Sequence, residues 1–466
     1  MSTENLVNII DSIDLPDIFT PEEEITLIET AYSLICDLLS NELMRYIHPN
    51  FHDSIISEVV DLLSEQLNDI VTDDIEEDLT NCVEQALRIY YSKISPKRSF
   101  NKTFIRIKPN CAKIREKIAY LNSVPQPEQR THEWYAFRYK YLTASSIWKA
   151  FVSESTRNQL ICDKCKPFTI EKYSHTSMDS PMHWGHKYEP VSNQIYEFLY
   201  KTKISDFGCI PHKVLCFLAA SPDGINTLET SDRYGRMLEI KNIVNRVIDG
   251  IPKLEYWIQM QIQMEVCNLN ECDFLETRFK EYADEDAYIT DSAVTVGKDV
   301  DFCKTKLGQQ KGMMVLFYVN KQPYYEYAPL NASRDILTKW TETIMDKHAN
   351  DMWCKNIFWW LDELSCVLVL RNKAWFEAAV PILTDLWKII EYDKSHGYEH
   401  RQPNKKIKVI KLNNNGMSNR CMFDLSTMNI DMNIDMNMGM DIDMGMNMDI
   451  DIIEDNININ IDTDVF

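Results

Sequence analysis

Asp223, Glu239 and Lys241 are the residues of this chain whose types and spacing most readily do chemistry. Asp223 follows a short apolar run, Val214-Leu215-Cys216-Phe217-Leu218-Ala219-Ala220, and sits in Ser221-Pro222-Asp223-Gly224, a turn by composition. A second short run, Met237-Leu238-Glu239-Ile240-Lys241, comes after a polar turn at Ser231-Asp232-Arg233-Tyr234-Gly235. Two strands joined in this way form a hairpin that brings Asp223 near Glu239. Side chains alternate along a strand, so Glu239 and Lys241 share a face while Ile240 points away. The result is two carboxylates and one amine in a small space. Carboxylates are the hard oxygen ligands that Mg²⁺ prefers, and an adjacent ammonium can orient water or neutralise a phosphate. Taken alone the trio is equally an exposed hairpin with ordinary surface charges.

Other polar residues flank this stretch in an order that adds to it. Trp134-Tyr135-Ala136-Phe137-Arg138 has helical spacing, and Thr143-Ala144-Ser145 begins a second helix with hydroxyls at its start. A helix N-terminus beside an Arg can cradle a phosphate, although capping hydroxyls and a surface Arg explain the same residues in isolation. Trp184-Gly185-His186-Lys187-Tyr188-Glu189-Pro190 leads into an amphipathic helix from Val191, which puts Glu189 near that helix's start. His183 and His186 read as surface groups or as supports beside Glu189. Tyr256 to Met264 forms a helix on which Gln259 and Gln263 share one face and Ile258, Ile262 and Val266 another. Amides at this spacing suit hydrogen bonds to a nucleic-acid backbone or a metal-bound water, or simply a solvated face.

The elements that must position these groups follow from hydrophobic periodicity. Residues 22–94 read as three amphipathic helices, the first capped by Thr20-Pro21-Glu22-Glu23, forming an acidic accessory domain over 1–95. Residues 96–125 read as a linker and 126–345 as an α/β unit, with strands at Cys272–Phe279 and Met313–Val319. Residues 154–183 read as a loop. The region 333–400, with Trp353, Phe358, Trp359, Trp360, Trp375, Phe376 and Trp387, reads as helical, and 346–400 as a helical C-terminal extension with an aromatic core. Residues 401–466 read as a short basic linker, Arg401 to Lys411, and then a low-complexity tail. From Met428 to Ile452 Met or Ile alternates with Asn, Asp or Gly, a run too long for an ordinary strand, so disorder is expected.

Charge and cysteine usage narrow the class. The 466 residues carry a net charge of −22, at first sight wrong for a protein that contacts phosphates. The acidity lies at the ends, however. Residues 1–100 carry −16 and 412–466 carry −10, which leaves 101–411 at +4. The 13 Cys show no compact framework, and there is neither a signal peptide nor an apolar run of membrane-spanning length. A soluble, reducing, intracellular setting is expected, without a membrane. Cys162 and Cys165, with His175 and His183 downstream, have the spacing of half a zinc knuckle but read preferentially as free thiols.

Taken together, five ordered motifs resemble the YqaJ-type viral recombinases, relatives of phage lambda exonuclease in the PD-(D/E)XK nuclease superfamily. They are Trp134…Arg138 with Leu142-Thr143-Ala144-Ser145, Trp184-Gly185…Tyr188-Glu189, Ser221-Pro222-Asp223-Gly224, Leu238-Glu239-Ile240-Lys241, and Tyr256…Gln259-Met260-Gln261. The match covers roughly 126–330, and the acidic helices and the Asn/Asp/Ile-rich tail are additions of a giant-virus type. The resemblance implies an α/β fold with a restriction-endonuclease-like core, a central mixed sheet flanked by helices, joined to the N-terminal helical domain and the disordered tail.

It also implies an activity: a Mg²⁺-dependent exonuclease, with Mn²⁺ as an alternative ion, that acts on double-stranded DNA ends in viral recombination, repair or replication. Such enzymes resect the 5′ strand and leave a 3′ overhang for a single-strand-annealing protein, and often form homo-oligomeric rings. Carried over by position, Glu189, Asp223, Glu239 and the carbonyl of Ile240 hold metal. Lys241 serves the attacking water and Gln259 supports the site. Arg138, Ser145 and Ser221 match the pocket for the terminal 5′-phosphate. The turn between Asp223 and Glu239 is longer than the family's. Two other readings remain, an endonuclease or resolvase with the same core and a catalytically degenerate DNA-end-binding protein. The setting the resemblance implies is the host cytoplasm (viral factory) or the virion, with the nucleus not set aside.

Overall fold

The computed structural model describes residues 19–67, 73–127, 129, 131–168, 178, 180–293, 301–320 and 322–402. The first-turn signal at Thr20 is realised as a capping box. Its hydroxyl accepts from the Glu23 N–H at 3.3 Å, and its own N–H donates to Glu23 Oε2 at 2.8 Å. Three helices follow: α1 (Pro21–Asn41), α2 (Phe51–Leu67) and α3 (Asp73–Lys93). Their apolar stripes bury Ile35, Ile55, Val59, Leu63, Val83 and Leu87 against one another.

The expected linker at 96–125 is structured. It contains α4 (Cys111–Ser123), started by the Asn110 side chain accepting from Lys113 N–H. Phe100 and Thr103 donate main-chain hydrogen bonds to Leu368 and Cys366. Arg98 is buried and donates to the carbonyls of Tyr46, Ile47 and Pro252 at 3.0, 3.2 and 2.6 Å. Burial, only partly opposed by the charge of Glu255, pushes its guanidinium down to about 9.

The chain continues through α5 (His132–Tyr139), β1 (Leu142–Thr143), α6 (Ala144–Ile147) and α7 (Glu154–Cys165), then α8 (Pro181–Tyr200). The short strands β2 (Ile204–Ser205), β3 (Ile210–Pro211), β4 (Leu218–Ala220) and β5 (Gly224–Asn226) lead into β6 (Met237–Asn242). After α9 (Leu254–Cys267) come β7 (Glu271–Glu281), α10 (Glu285–Thr290), β8 (Ser292–Ala293) and β9 (Asp301–Thr305). Then follow β10 (Lys311–Val319), β11 (Gln322–Tyr327), α11 (Arg334–Lys347), β12 (Met352–Leu370) and α12 (Lys373–His396).

Seven strands form a mixed sheet in the order β11-β10-β12-β7-β6-β5-β2, antiparallel except for the parallel β6–β7 pair. A second sheet, β1-β4-β3, is not hydrogen-bonded to the first but shares its core. The crossover that a parallel pair requires between β6 and β7 is α9, buried from Tyr256 to Cys267. The expected α/β core of a central mixed sheet flanked by helices is therefore present. No helix among the described residues is long and apolar enough to cross a membrane.

Several local expectations are corrected. The run Val214–Ala220 is strand only at Leu218–Ala220, and it belongs to the second sheet. Val214 and Leu215 instead donate their N–H groups to the His212 ring, which folds the segment into a turn and leaves Val214 exposed. The partner of β6 in the hairpin is β5, immediately after Asp223, with Gly224 opposite Leu238. The 154–183 loop holds the helix α7, nucleated by Ser153 capping Thr156.

The helical extension at 346–400 is helical only from Lys373. Met352–Leu370 is a long strand between β10 and β7. Its run of aromatic and β-branched residues, Ile357-Phe358-Trp359-Trp360 and Val367-Leu368-Val369, packs on both sheet faces, and an apolar run buried on both sides has no period that separates strand from helix. The low-complexity tail, most of the basic run and His175 lie outside the described residues.

Candidate active site

Asp223 closes the turn into β5, and the β5–β6 pairing sets it across from Glu239. Because β5 begins only at Gly224, the β5-side edge of β6 beyond Leu238 is not paired by β5, and the Ile240 N–H donates to Asp223 Oδ2 at 2.8 Å. The Ile240 carbonyl faces the same edge as its N–H, as strand geometry dictates. The Asp223 carboxyl is held well above the usual carboxylate range, first by desolvation and then by the charges of Glu239 and Glu189. Lys241 and the Ile240 N–H oppose the shift.

Glu239 is fully buried. Gln259 Nε2 donates to its Oε1 at 2.7 Å, Gln263 Nε2 donates to its Oε2 at 2.8 Å, and Lys241 Nζ lies 2.8 Å from Oε1. The i, i+4 amides therefore form a two-pronged clamp on one carboxylate. Sequence reasoning placed both glutamines on one helix face but assigned a supporting role only to Gln259. Gln263 also donates to the Ser221 carbonyl at 3.2 Å, which ties the turn before Asp223 to the same helix. Lys241 lies over the Tyr256 ring, 5.0 Å from its centroid.

Glu189 sits in the third turn of α8 rather than near a helix start, because Ser180 caps the helix at Pro181 and Pro190 is accommodated inside it. The helix is tied to β6 by Asn242, whose Nδ2 donates to the Gly185 carbonyl at 2.8 Å and whose Oδ1 accepts from Ser192 and Thr277, each at 2.7 Å. This bond set turns the Glu189 face of α8 toward the Asp223 turn, and both carboxylates line one cleft with Ile240, Lys241 and Gln259. His186 lines the same cleft, whereas His183 lies 2.6 Å from the Tyr325 hydroxyl.

The same cleft is walled by Trp134, Arg138, Ser145 and Ser221. The Arg138 guanidinium stacks on Trp134, 4.1 Å from the ring centroid, and donates to Ser145 Oγ at 2.7 Å. Trp134 Nε1 in turn donates to Ser221 Oγ at 3.4 Å. The helix expected at Ser145 is the single turn α6, and Thr143 makes no side-chain cap to it. Positive potential at this end of the cleft therefore comes from the guanidinium rather than from a helix dipole.

The long turn between β5 and β6 is packed. Arg233 and Arg236 are buried in it and pair with Asp273 on β7, whose carboxylate also accepts from Thr103 at 2.7 Å and Tyr196 at 2.6 Å. The extra residues fix the hairpin to the sheet.

Among the described residues no three His, Cys, Asp or Glu side chains stand together as a ready-made metal cage. The donors nevertheless suit a hard divalent cation. Asp223 and Glu189 line the cleft, Asp223 is destabilised by its carboxylate neighbours, and Glu239 retains lone pairs beyond its amide bonds. Cys162 and Cys165 are buried thiols on α7, and Cys165 lies 3.7 Å from the Ile390 carbonyl.

The fold is a mixed α/β domain with one polar cleft, and residues 133–270 match the YqaJ-like viral recombinase domain. An uncharacterized protein, R354, of Acanthamoeba polyphaga mimivirus is 30% identical over 312 residues. That stretch covers 60% of this chain and 55% of the mimivirus protein, so the chain spans just over half the length of that relative. The giant-virus affinity expected from the sequence is met. Two crystal structures are also similar, LHK-Exo in complex with dAMP (TM-score 0.33) and the alkaline exonuclease LHK-Exo from Laribacter hongkongensis (TM-score 0.31). Each is 17% identical and covers 57% of this chain and 95% of the other.

Proposed function

We propose that this chain is a Mg²⁺-dependent exonuclease that enters double-stranded DNA at its ends and resects the 5′ strand, leaving a 3′ overhang for a single-strand-annealing partner in viral recombination, repair or replication. The observation that carries this reading is that one cleft is lined both by Asp223, Glu189 and Lys241 and by the hydrogen-bonded Arg138–Ser145 pair. The first group suits phosphodiester hydrolysis and the second suits a terminal phosphate.

Asp223, Glu189, Glu239 and the Ile240 carbonyl are the groups that would hold the metal. When bound, it supplies an activated water and neutralises the leaving 3′ oxygen. Lys241 lies beside the buried Glu239 and offers a proton-bearing amine to stabilise charge on the phosphorane-like transition state. Gln259 and Gln263 fix the Glu239 carboxylate plane, so neither oxygen has to reorganise during the reaction. Arg138 and Ser145, with Ser221 across the ring of Trp134, would grip a 5′-phosphate and set which bond enters the cleft.

The test is purified protein with Mg²⁺ on linear and covalently closed circular duplex DNA. Degradation of linear DNA from its 5′ strand, with circles spared, is expected. Efficient linearisation of circles would make the protein an endonuclease with the same core. Binding to ends without cleavage would make it an end-binding module.

A further inference from the structure

Lys164 lies on the last turn of α7, nine-tenths buried, where an amine has few reasons to be. Its Nζ donates to the Arg138 carbonyl at 3.1 Å, directly behind the residue whose guanidinium stacks on Trp134 and grips Ser145. The groups facing it are Arg138 on α5, Lys394 on α12, the Cys209 thiol before β3, and Asp163 on its own helix. Asp163 is turned to Lys149, 3.7 Å away, so the carboxylate nearest in sequence is shared elsewhere. A guanidinium and two amines thus converge behind one wall of the cleft, and among the described residues Asp163, shared with Lys149, is the carboxylate that acts on Lys164.

We infer that Lys164 is a positioning residue for the Arg138 pocket, a buried amine that both fixes the Arg138 backbone and supplies a second positive charge, so that the pocket selects a phosphorylated 5′ terminus over a hydroxyl one. The inference rests on the proposed reading of that pocket as the end-phosphate site.

A structural lysine capping the end of α5 accounts for the hydrogen bond but not for a counter-charge shared with Lys149. Desolvation, followed by the repulsion of Arg138 and Lys394, pushes the amine down to about 7, so near neutrality it exists in both charge states. An anion bound at Arg138 opposes that repulsion and raises the amine's affinity for a proton. Binding a phosphorylated end is therefore coupled to proton uptake. The preference is fully present below the free-state value and fades as pH rises through the higher value of the bound state.

The experiment measures binding of short blunt duplexes with 5′-phosphate or 5′-hydroxyl ends to the full chain in EDTA, so that no cleavage occurs. Titration calorimetry in two buffers of different ionisation enthalpy counts the protons. Wild-type protein at pH 7.5 should take up protons with the phosphorylated duplex and not with the hydroxyl one. Its phosphate preference should fall between about pH 7 and pH 9.5. Lys164→Met should lower the preference about tenfold and abolish the uptake, while Lys164→Arg keeps the preference without uptake. Arg138→Leu is the control. If Arg138→Leu loses the preference while Lys164→Met keeps both preference and uptake, Lys164 is a cap only and the inference falls. If Arg138→Leu leaves the preference intact, the end-phosphate reading itself falls, and this inference with it. Absence of proton uptake by the wild-type protein overturns the inference without any variant.

Discussion

Gln263 Nε2 donates to Glu239 Oε2 at 2.8 Å, from one helical turn beyond the Gln259 bond to the other oxygen of the same carboxylate. Both amides come from α9, the crossover that makes β6 and β7 parallel, so the topology of the sheet itself delivers the clamp.

Removing one prong tests its purpose. Gln263→Leu is expected to lower the cleavage rate by about 10- to 100-fold, because a supporting partner of a reactive carboxylate typically has that effect. The cost in stability should be about 1–3 kcal/mol, as one buried acceptor loses its donor. Steady-state rates and urea melts of the same preparation measure the two together. An unchanged rate with lowered stability would make Gln263 a packing residue.

Asp223 is a carboxylate raised by burial and by its acidic neighbours, which gives a signed prediction for the metal-free protein. A carboxyl whose folded value exceeds its unfolded one favours folding while protonated, so its contribution is lost as pH rises through the folded value. Asp223→Asn should therefore raise the melting temperature in EDTA at pH 8 while reducing cleavage by about a thousandfold or more. Millimolar Mg²⁺ should raise the melting temperature of the wild-type protein and leave that of Asp223→Asn unmoved. Equal shifts in both proteins would place the cation elsewhere.

Asp273 is fully buried and paired with both Arg233 and Arg236 from the hairpin turn. Asp273→Ala should cost about 3–5 kcal/mol, since buried Arg233 is left without its counter-ion and Arg236 keeps only Glu271. Equilibrium unfolding measures this. A loss below about 1 kcal/mol would mean that the Arg pair re-pairs with Glu271, which Arg236 already touches.

Deleting 412–466 should preserve cleavage and strengthen DNA binding at low salt. That segment carries −10, while the matched motifs lie between Trp134 and Gln261. The comparison is affinity and rate of both forms at two salt concentrations. A folded but inactive truncation would give the tail a direct part in the reaction.

What the sequence made legible was whatever is governed by local spacing. Glu239 and Lys241 had to share a strand face, Thr20 and Glu23 had to cap α1, and Gln259 and Gln263 had to share a face of α9. What it hid was set by distant partners. Nothing local distinguishes the solvated amide pair expected of Gln263 from one buried against Glu239. Likewise Val214–Phe217 looks like a strand until the His212 ring captures its N–H groups. The helix at Met352–Leu370 failed for the same reason, because β10 and β7 on either side decide its conformation.

Trp257, two residues before Gln259, donates through Nε1 to the Arg98 carbonyl at 2.8 Å, while Arg98 holds the carbonyls of Tyr46 and Ile47. Its ring lies 6.2 Å from Tyr46 and 5.1 Å from Trp375. The helix that clamps the Glu239 carboxylate is thus wedged between the N-terminal bundle and α12. Exchange of segments between related genes that moved the motif-bearing middle alone would leave an indole and a guanidinium without their seats. The acidic N-terminal helices and the matched motifs should therefore be inherited together, as one recombining block.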